Sequence, residues 1–189
     1  MNRSQTDACD RHSFLAGAVI AYPTEGVWGF GCSPDSEQAV QRILRIKQRS
    51  VDQGLILVAA SMDQFAPYLD NLSQAHIERL NQSWPGPVTF LVPDQGISPV
   101  FIRGAHTTVA LRVSSHPVVQ SLCRMLGGPM VSTSANRSGD PAALTAREVT
   151  EQFAAEVDFI IPGALGGQTG PSEIIDLITG QVFRPQASG

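Results

Sequence analysis

Lysine is nearly absent from this chain of 189 residues: of thirteen basic residues, Lys47 is the one lysine and the rest are arginine. Lysine is ordinarily among the commonest residues. A drift towards arginine converts positions where the two are interchangeable, so the survivor marks a position that wants a compact ammonium rather than a planar fork. Chance survival is the competing reading. Cysteine is scarce too: Cys9, Cys32 and Cys123 are odd in number and far apart. That excludes a disulfide framework and a Cys-x-x-Cys metal or redox site, and leaves buried packing as their expected role. No apolar run approaches the roughly 20 residues that cross a bilayer. The start, MNRSQTDACDRHSF, lacks the basic head and apolar core of a signal peptide. A cytoplasmic protein is expected, which removes the glycosylation reading of Asn136-Arg137-Ser138. Neither a Walker loop nor a Gly-x-Gly-x-x-Gly fingerprint is present. His12, His76, His106 and His116 show neither metal-ligand spacing nor a triad order, so surface or capping roles are expected. No metal-ligand set is read from the sequence. The net charge of −4 argues against a uniformly basic coat for nucleic acid, so any anion must be met by a local cluster.

What is present is an ordinary globular composition, 42% hydrophobic and 16% charged, with no low-complexity tract. One domain over 1–189 is expected. A weak helical pattern over 7–17 precedes the apolar strand AVIAYP. The segment DSEQAVQRILRIKQR puts Ala39, Val40, Ile43 and Leu44 on one helical face, with Asp35 or Ser36 as N-cap. GLILVAA reads as a core strand and Ser61 to Leu69 as a short helix capped by Ser61. A helix over 73–83 ends at Trp84-Pro85-Gly86-Pro87, and VTFLV follows as a strand. Residues 96–106 read as a loop, TTVALRV as a strand, HPVVQSLCRML as a helix begun by Pro117, and PMVSTS as a strand. After a helix near 145–154 come VDFII, SEIIDLI and QVFRP, short β segments with an antiparallel look. Strands alternating with helices predict an α/β fold, a twisted mixed parallel and antiparallel sheet with flanking helices.

Candidate chemistry gathers at a few places. Arg42, Arg45, Lys47 and Arg49 crowd the end of the best helix. Cations there complement the helix dipole, which is the structural reading. Lys47 and Arg49, read as an extended exit, also project to one side. In VSTSANRSGDP, alternation sends Ser132 and Ser134 to one face of a strand and Thr133 to the other, with Asn136 at a turn. Such hydroxyls bind phosphate or carboxylate oxygens, or else satisfy an Asx turn. Thr24-Glu25 follows AVIAYP directly. Arg112, inside the apolar strand VALRV, needs an acid of the protein, an anionic ligand or solvent.

Taken in order, YPTEGVWGFG, IKQRSVDQGLILV, WPGPVTFLVP, VALRV, VSTSANRSG, GPSEIIDL and VFRP resemble the YrdC-like family of threonylcarbamoyl-AMP synthases, over about residues 14–186. The resemblance implies a sheet with a concave, locally basic cavity. It implies a reaction in which L-threonine, bicarbonate and ATP, with Mg²⁺, give threonylcarbamoyl-AMP and pyrophosphate. Partner proteins then transfer the threonylcarbamoyl group to tRNA beside the anticodon. It assigns Lys47 and Arg49 to charge stabilisation on the triphosphate, with Ser134, Asn136 and Arg184 around the nucleotide and Gln53 and Thr108 as further nucleotide candidates. Thr24, Arg112, Ser132 and Ser172 are assigned to L-threonine.

Several positions depart from the family pattern: Gly26 stands where many members have Thr, Ser50 where Pro is common, Val58 where longer relatives have His, and Glu173 where Thr is common. A double-stranded RNA-binding or ribosome-maturation module with tRNA or double-stranded RNA in the same basic cavity is the alternative. The net acidity and few aromatics weigh against it.

Overall fold

The structure, a computed structural model, describes residues 9–185. Its strands are β1 (Ile20–Pro23), β2 (Trp28–Cys32), β3 (Ile56–Ala59), β4 (Val88–Pro93), β5 (Thr108–Val113), β6 (Met130–Ser134), β7 (Phe159–Ile160), β8 (Glu173–Asp176) and β9 (Val182–Arg184). Among the described residues they form one nine-stranded sheet in the order β7-β1-β2-β6-β3-β5-β4-β8-β9. β1 with β7, β3 with β5 and β4 with β8 run parallel, and the other neighbours antiparallel. The mixed α/β sheet with flanking helices is therefore as the sequence implied. The antiparallel look of the last segments holds for the β8–β9 pair, whereas β7 lies parallel to β1 and β8 lies parallel to β4 on its other side.

The helices are α1 (Arg11–Leu15), α2 (Glu37–Lys47), α3 (Ala66–Leu69), α4 (Gln74–Ser83), α5 (Val100–Arg103), α6 (Pro117–Leu126) and α7 (Ala146–Phe153). The expected helix over 7–17 shortens to α1, capped by Asp10, while residues 7 and 8 lie outside the described residues. Ser36 rather than Asp35 caps α2, accepting from the Ala39 amide. Ser61 makes no side-chain cap, and a 3-10 turn, Met62–Phe65, precedes α3. Residues 96–106 contain α5, a single turn too short to show a period.

Sequence reading passed over β2 altogether. Its WGFGC carries Gly29 and Gly31 in place of β formers, and a Cβ at Gly31 would lie 2.9 Å from the Tyr22 ring. The glycines give up propensity so that a buried aromatic can lie flat on the strand.

Period-two alternation divides the interior. Ala21, Phe30 and Leu57 face the larger core with Val40 and Ile43 of α2 and Phe153 of α7. Ile20, Tyr22 and Val58 face the other side, where Phe14 of α1 and Val119, Leu122 and Leu126 of α6 cover them. These helices do not cover the rest of that second face. Gly29, Ser132, Ser134, Ile56, Ala110, Arg112 and Leu91 share it by register and line an open cavity there.

Candidate functional site

The cavity has a volume of about 530 Å³, within the range of small-molecule sites. Arg49, Arg103, Arg112 and Arg184 line it against the carboxylates of Glu25 and Asp176. Of the residues assigned by resemblance, Thr24, Arg49, Gln53, Thr108, Arg112, Ser132, Ser134, Ser172 and Arg184 all contribute to its wall. Lys47 and Asn136 are absent from the wall and sit behind Ser134, joined to it by hydrogen bonds.

Lys47 is 2% exposed. Its ammonium donates to the carbonyls of Ser134 (2.6 Å) and Asn136 (3.0 Å) and to Asn136 Oδ1 (2.9 Å). All its protons are used, and every acceptor is formally neutral. Burial, with Arg49 adding to it, pushes the ammonium down to about 8. The extended exit expected for Lys47 and Arg49 is replaced by a helix stop. Gln48 adopts φ 52° at the C-cap, and the Arg49 amide reaches back to Leu44 O (3.0 Å). The fold of the chain back past the helix end, rather than strand alternation, brings the two cations to one place.

The stretch VSTSANRSGDP completes that helix end. Arg137 donates to Ile46 O (2.8 Å) and the Ser138 amide to Lys47 O (2.8 Å), while Gln48 N serves Arg45 O. The last four carbonyls of α2 are thereby satisfied. Asn136 also makes the expected turn, donating through Nδ2 to Arg137 O and Asp140 O, with Oδ1 accepting from both Lys47 and Ser134 Oγ. The turn reading of Asn136 holds, and the same side chain also ties Lys47 to Ser134. Upstream, Tyr22 Oη donates to Ser132 Oγ (2.5 Å), so the Ser132 hydrogen is free to point into the cavity.

Arg112 has the acid its burial demands: Glu25, from the turn after β1. Ser114 Oγ (2.7 Å) and the Ser115 amide (3.1 Å) donate to the other oxygen of the same carboxylate. Burial works to raise the Glu25 carboxyl, but Arg112 and these donors together outweigh it and hold it below the usual range. Arg112 Nε and Arg49 Nε are both buried and have no hydrogen-bond partner among the described residues. Arg184 donates from Nε to Ser172 O (2.8 Å) and from Nη2 to Ser172 Oγ (3.3 Å). Burial lowers its proton affinity, and Arg112 and Arg49 add their repulsion. Three guanidinium groups close enough to repel one another make a site whose charge an anion would relieve.

Among the departures, Val58 lies opposite Arg112 and is buried at the cavity wall, an apolar surface in place of an imidazole. Sequence reading missed Arg103, His106 and Thr107, and also Gln168, Gly170 and Pro171 of the segment before β8, all of which reach the cavity. The glycine density of GALGGQTGPS was the available signal for the latter. His116, expected at a surface or cap, stands at the N-cap of α6 without capping it and is buried. Among the described residues no helix is long and apolar enough to cross a membrane.

The chain is an α/β protein built on a mixed sheet, with a cavity on one sheet face that Arg49, Arg103, Arg112 and Arg184 line. The family profile Sua5_yciO_yrdC, described as "Telomere recombination", matches residues 13–185, and the chain belongs to this family. It is 52% identical over 169 residues to the threonylcarbamoyl-AMP synthase of Cellvibrio japonicus (strain Ueda107), covering 89% of each chain. It is 54% identical over 170 residues to the protein of that name from Pseudomonas fluorescens (strain Pf0-1), covering 90% of this chain and 91% of that one. In structure it resembles P. abyssi Sua5 complexed with L-threonine, with a TM-score of 0.86 and 31% identity over 93% of this chain. It spans about half of that protein, 52%. E. coli YciO superposes with a TM-score of 0.82 and 27% identity, covering 95% of this chain and 88% of that one.

Proposed function

We propose that this chain is an L-threonylcarbamoyladenylate synthase, a cytoplasmic nucleotidyltransferase that supplies the activated group for threonylcarbamoyladenosine in tRNA. The observation that carries this reading is the meeting of Arg49, Arg112 and Arg184 with Ser132, Ser134 and Ser172 on one cavity. It occurs in a chain 52–54% identical to proteins named for that activity.

In the reaction the threonine amine takes up the carbon of bicarbonate, releasing water. An oxygen of the resulting N-carboxylate then forms a bond to the α-phosphorus of ATP as the bond to pyrophosphate breaks. The nucleophile is already anionic, so no Ser-His-Asp apparatus is required, and catalysis comes from positioning and charge. The Ser132 hydroxyl, accepting from Tyr22, is left to donate to a carboxylate oxygen of threonine beside Arg112. Arg49 and Arg184 balance the phosphates, and Lys47 adds its charge from behind Ser134. Mg²⁺ enters as the companion of ATP, held mainly by phosphate and water. Both cavity carboxylates already have protein partners, Glu25 in Arg112, and Asp176 in the amides of Ile178 and Thr179. The product passes to proteins that transfer the threonylcarbamoyl group to tRNA.

Purified protein with ATP and Mg²⁺ is expected to release pyrophosphate only when both L-threonine and bicarbonate are present. Release independent of either substrate, or none, rejects the assignment. The RNA-binding alternative is not favoured, since relatives 52–54% identical to this chain carry the synthase name.

A further inference from the structure

Residues 161–172 join β7 to β8 without helix or strand, yet they are pinned to the turn that carries Thr24 and Glu25. The Gly166 amide donates to Thr24 O (3.0 Å) and the Gln168 amide to Glu25 O (2.9 Å). At Gly26 the contact is closer still. A Cβ there would lie 1.9 Å from Gly170 O, 2.9 Å from Gly170 C and 3.2 Å from Gln168 O. These are backbone atoms, which cannot rotate aside as a side chain would. On the far side, His116 Nε2 meets Ala164 O at 3.0 Å, and a Cβ on Gly166 would touch the same imidazole at 3.3 Å. A carbonyl accepts, so the imidazole carries its proton on Nε2 and donates. Nδ1 is buried with no partner among the described residues, so the ring is held for its Nε2 contact at the expense of an unsatisfied atom.

We infer that residues 163–171 form a strap closing the Thr24 end of the cavity, that Gly26 permits its close seat, and that His116 holds it in place. Gly26 and His116 are thus positioning residues for the amino-acid substrate. The inference rests on the reading that this end of the cavity receives L-threonine. Gln168 and Gly170 line the cavity beside Thr24 and Glu25, so lifting the strap opens a wall of the amino-acid pocket and leaves the arginine groups in place. Affinity for threonine should suffer, and the bond-making step much less.

The test combines amide hydrogen exchange at Gly166 and Gln168 with steady-state kinetics on the full chain. Gly26→Ala and His116→Ala are expected to speed exchange at both amides about tenfold or more by opening the segment locally. Both should raise KM for L-threonine about tenfold, with kcat changed by less than about threefold and KM for ATP nearly constant. His116→Gln, which keeps an N–H near the Nε2 position, should restore much of both effects. Wild-type exchange in both alanine variants overturns the strap, as does faster exchange with an unchanged KM for threonine. If the wild-type chain shows no threonine-dependent release of pyrophosphate, the functional reading fails by itself. The strap is then decided by exchange alone, loss of protection in both variants supporting it and retention overturning it.

Discussion

Lys47 illustrates what one residue type does that its nearest substitute cannot. Its ammonium reaches three oxygens within 2.6–3.0 Å from a buried position, a compact arrangement around a single nitrogen. A guanidinium spreads its donors in a plane and has no room there. Lys47→Arg is expected to lose about tenfold to a hundredfold in turnover while the chain still folds, read by pyrophosphate release and circular dichroism. The same residue predicts a proton linkage. A phosphate near an ammonium that burial has pushed down to about 8 favours the charged form and raises the pKa. ATP binding at pH 8 should therefore take up as much as about half a proton. Calorimetry in buffers of different ionisation enthalpy measures this, and the uptake should vanish in Lys47→Arg, which does not titrate there. The scarcity of lysine singled out this residue from composition, but its neutral partners come from Ser134 and Asn136, far along the chain, which no local pattern reveals.

At the scale of elements, α2 was the clearest helix in the sequence because its apolar period and Ser36 cap agree. Its end was misread as extended, since the left-handed residue is Gln48 rather than glycine. Gln48→Gly removes side-chain strain at that φ, and a net stabilisation of about 0.5–1 kcal/mol is expected after glycine's own entropy cost. For a chain of this size that raises Tm by about 1–4 °C in a thermal melt. A lower Tm would show that the Gln48 side chain contributes more than its backbone strain costs. β2 was illegible for a related reason: its glycines answer to the Tyr22 ring on the neighbouring strand, a demand from outside the segment. α5 was missed because one turn of helix has no period to display.

At the scale of the molecule, every strand is hydrogen-bonded into one sheet, with Trp28 and Trp84 in the same large core. We expect the chain to unfold as one unit. Tryptophan fluorescence and far-ultraviolet circular dichroism should then give coincident denaturant transitions, and separated midpoints would divide it into parts. By itself the sequence determined the class of fold, through its alternating apolar periods, and it offered candidate site residues, some as polar side chains set within apolar runs and others, such as Ser172 and Arg184, through the family resemblance alone. Tertiary structure decided which of those residues face one another. Glu25 and Arg112 are 87 residues apart yet share a buried pair. Thr24, Arg49, Ser132, Ser172 and Arg184 reach one cavity because non-consecutive strands lie side by side and α6 leaves that part of the sheet face uncovered. It also placed the glycine-rich segment over Gly26, a contact of backbone with backbone. Local sequence carries propensity and alternation, which are short-ranged; strand order and close approach are properties of the packed chain.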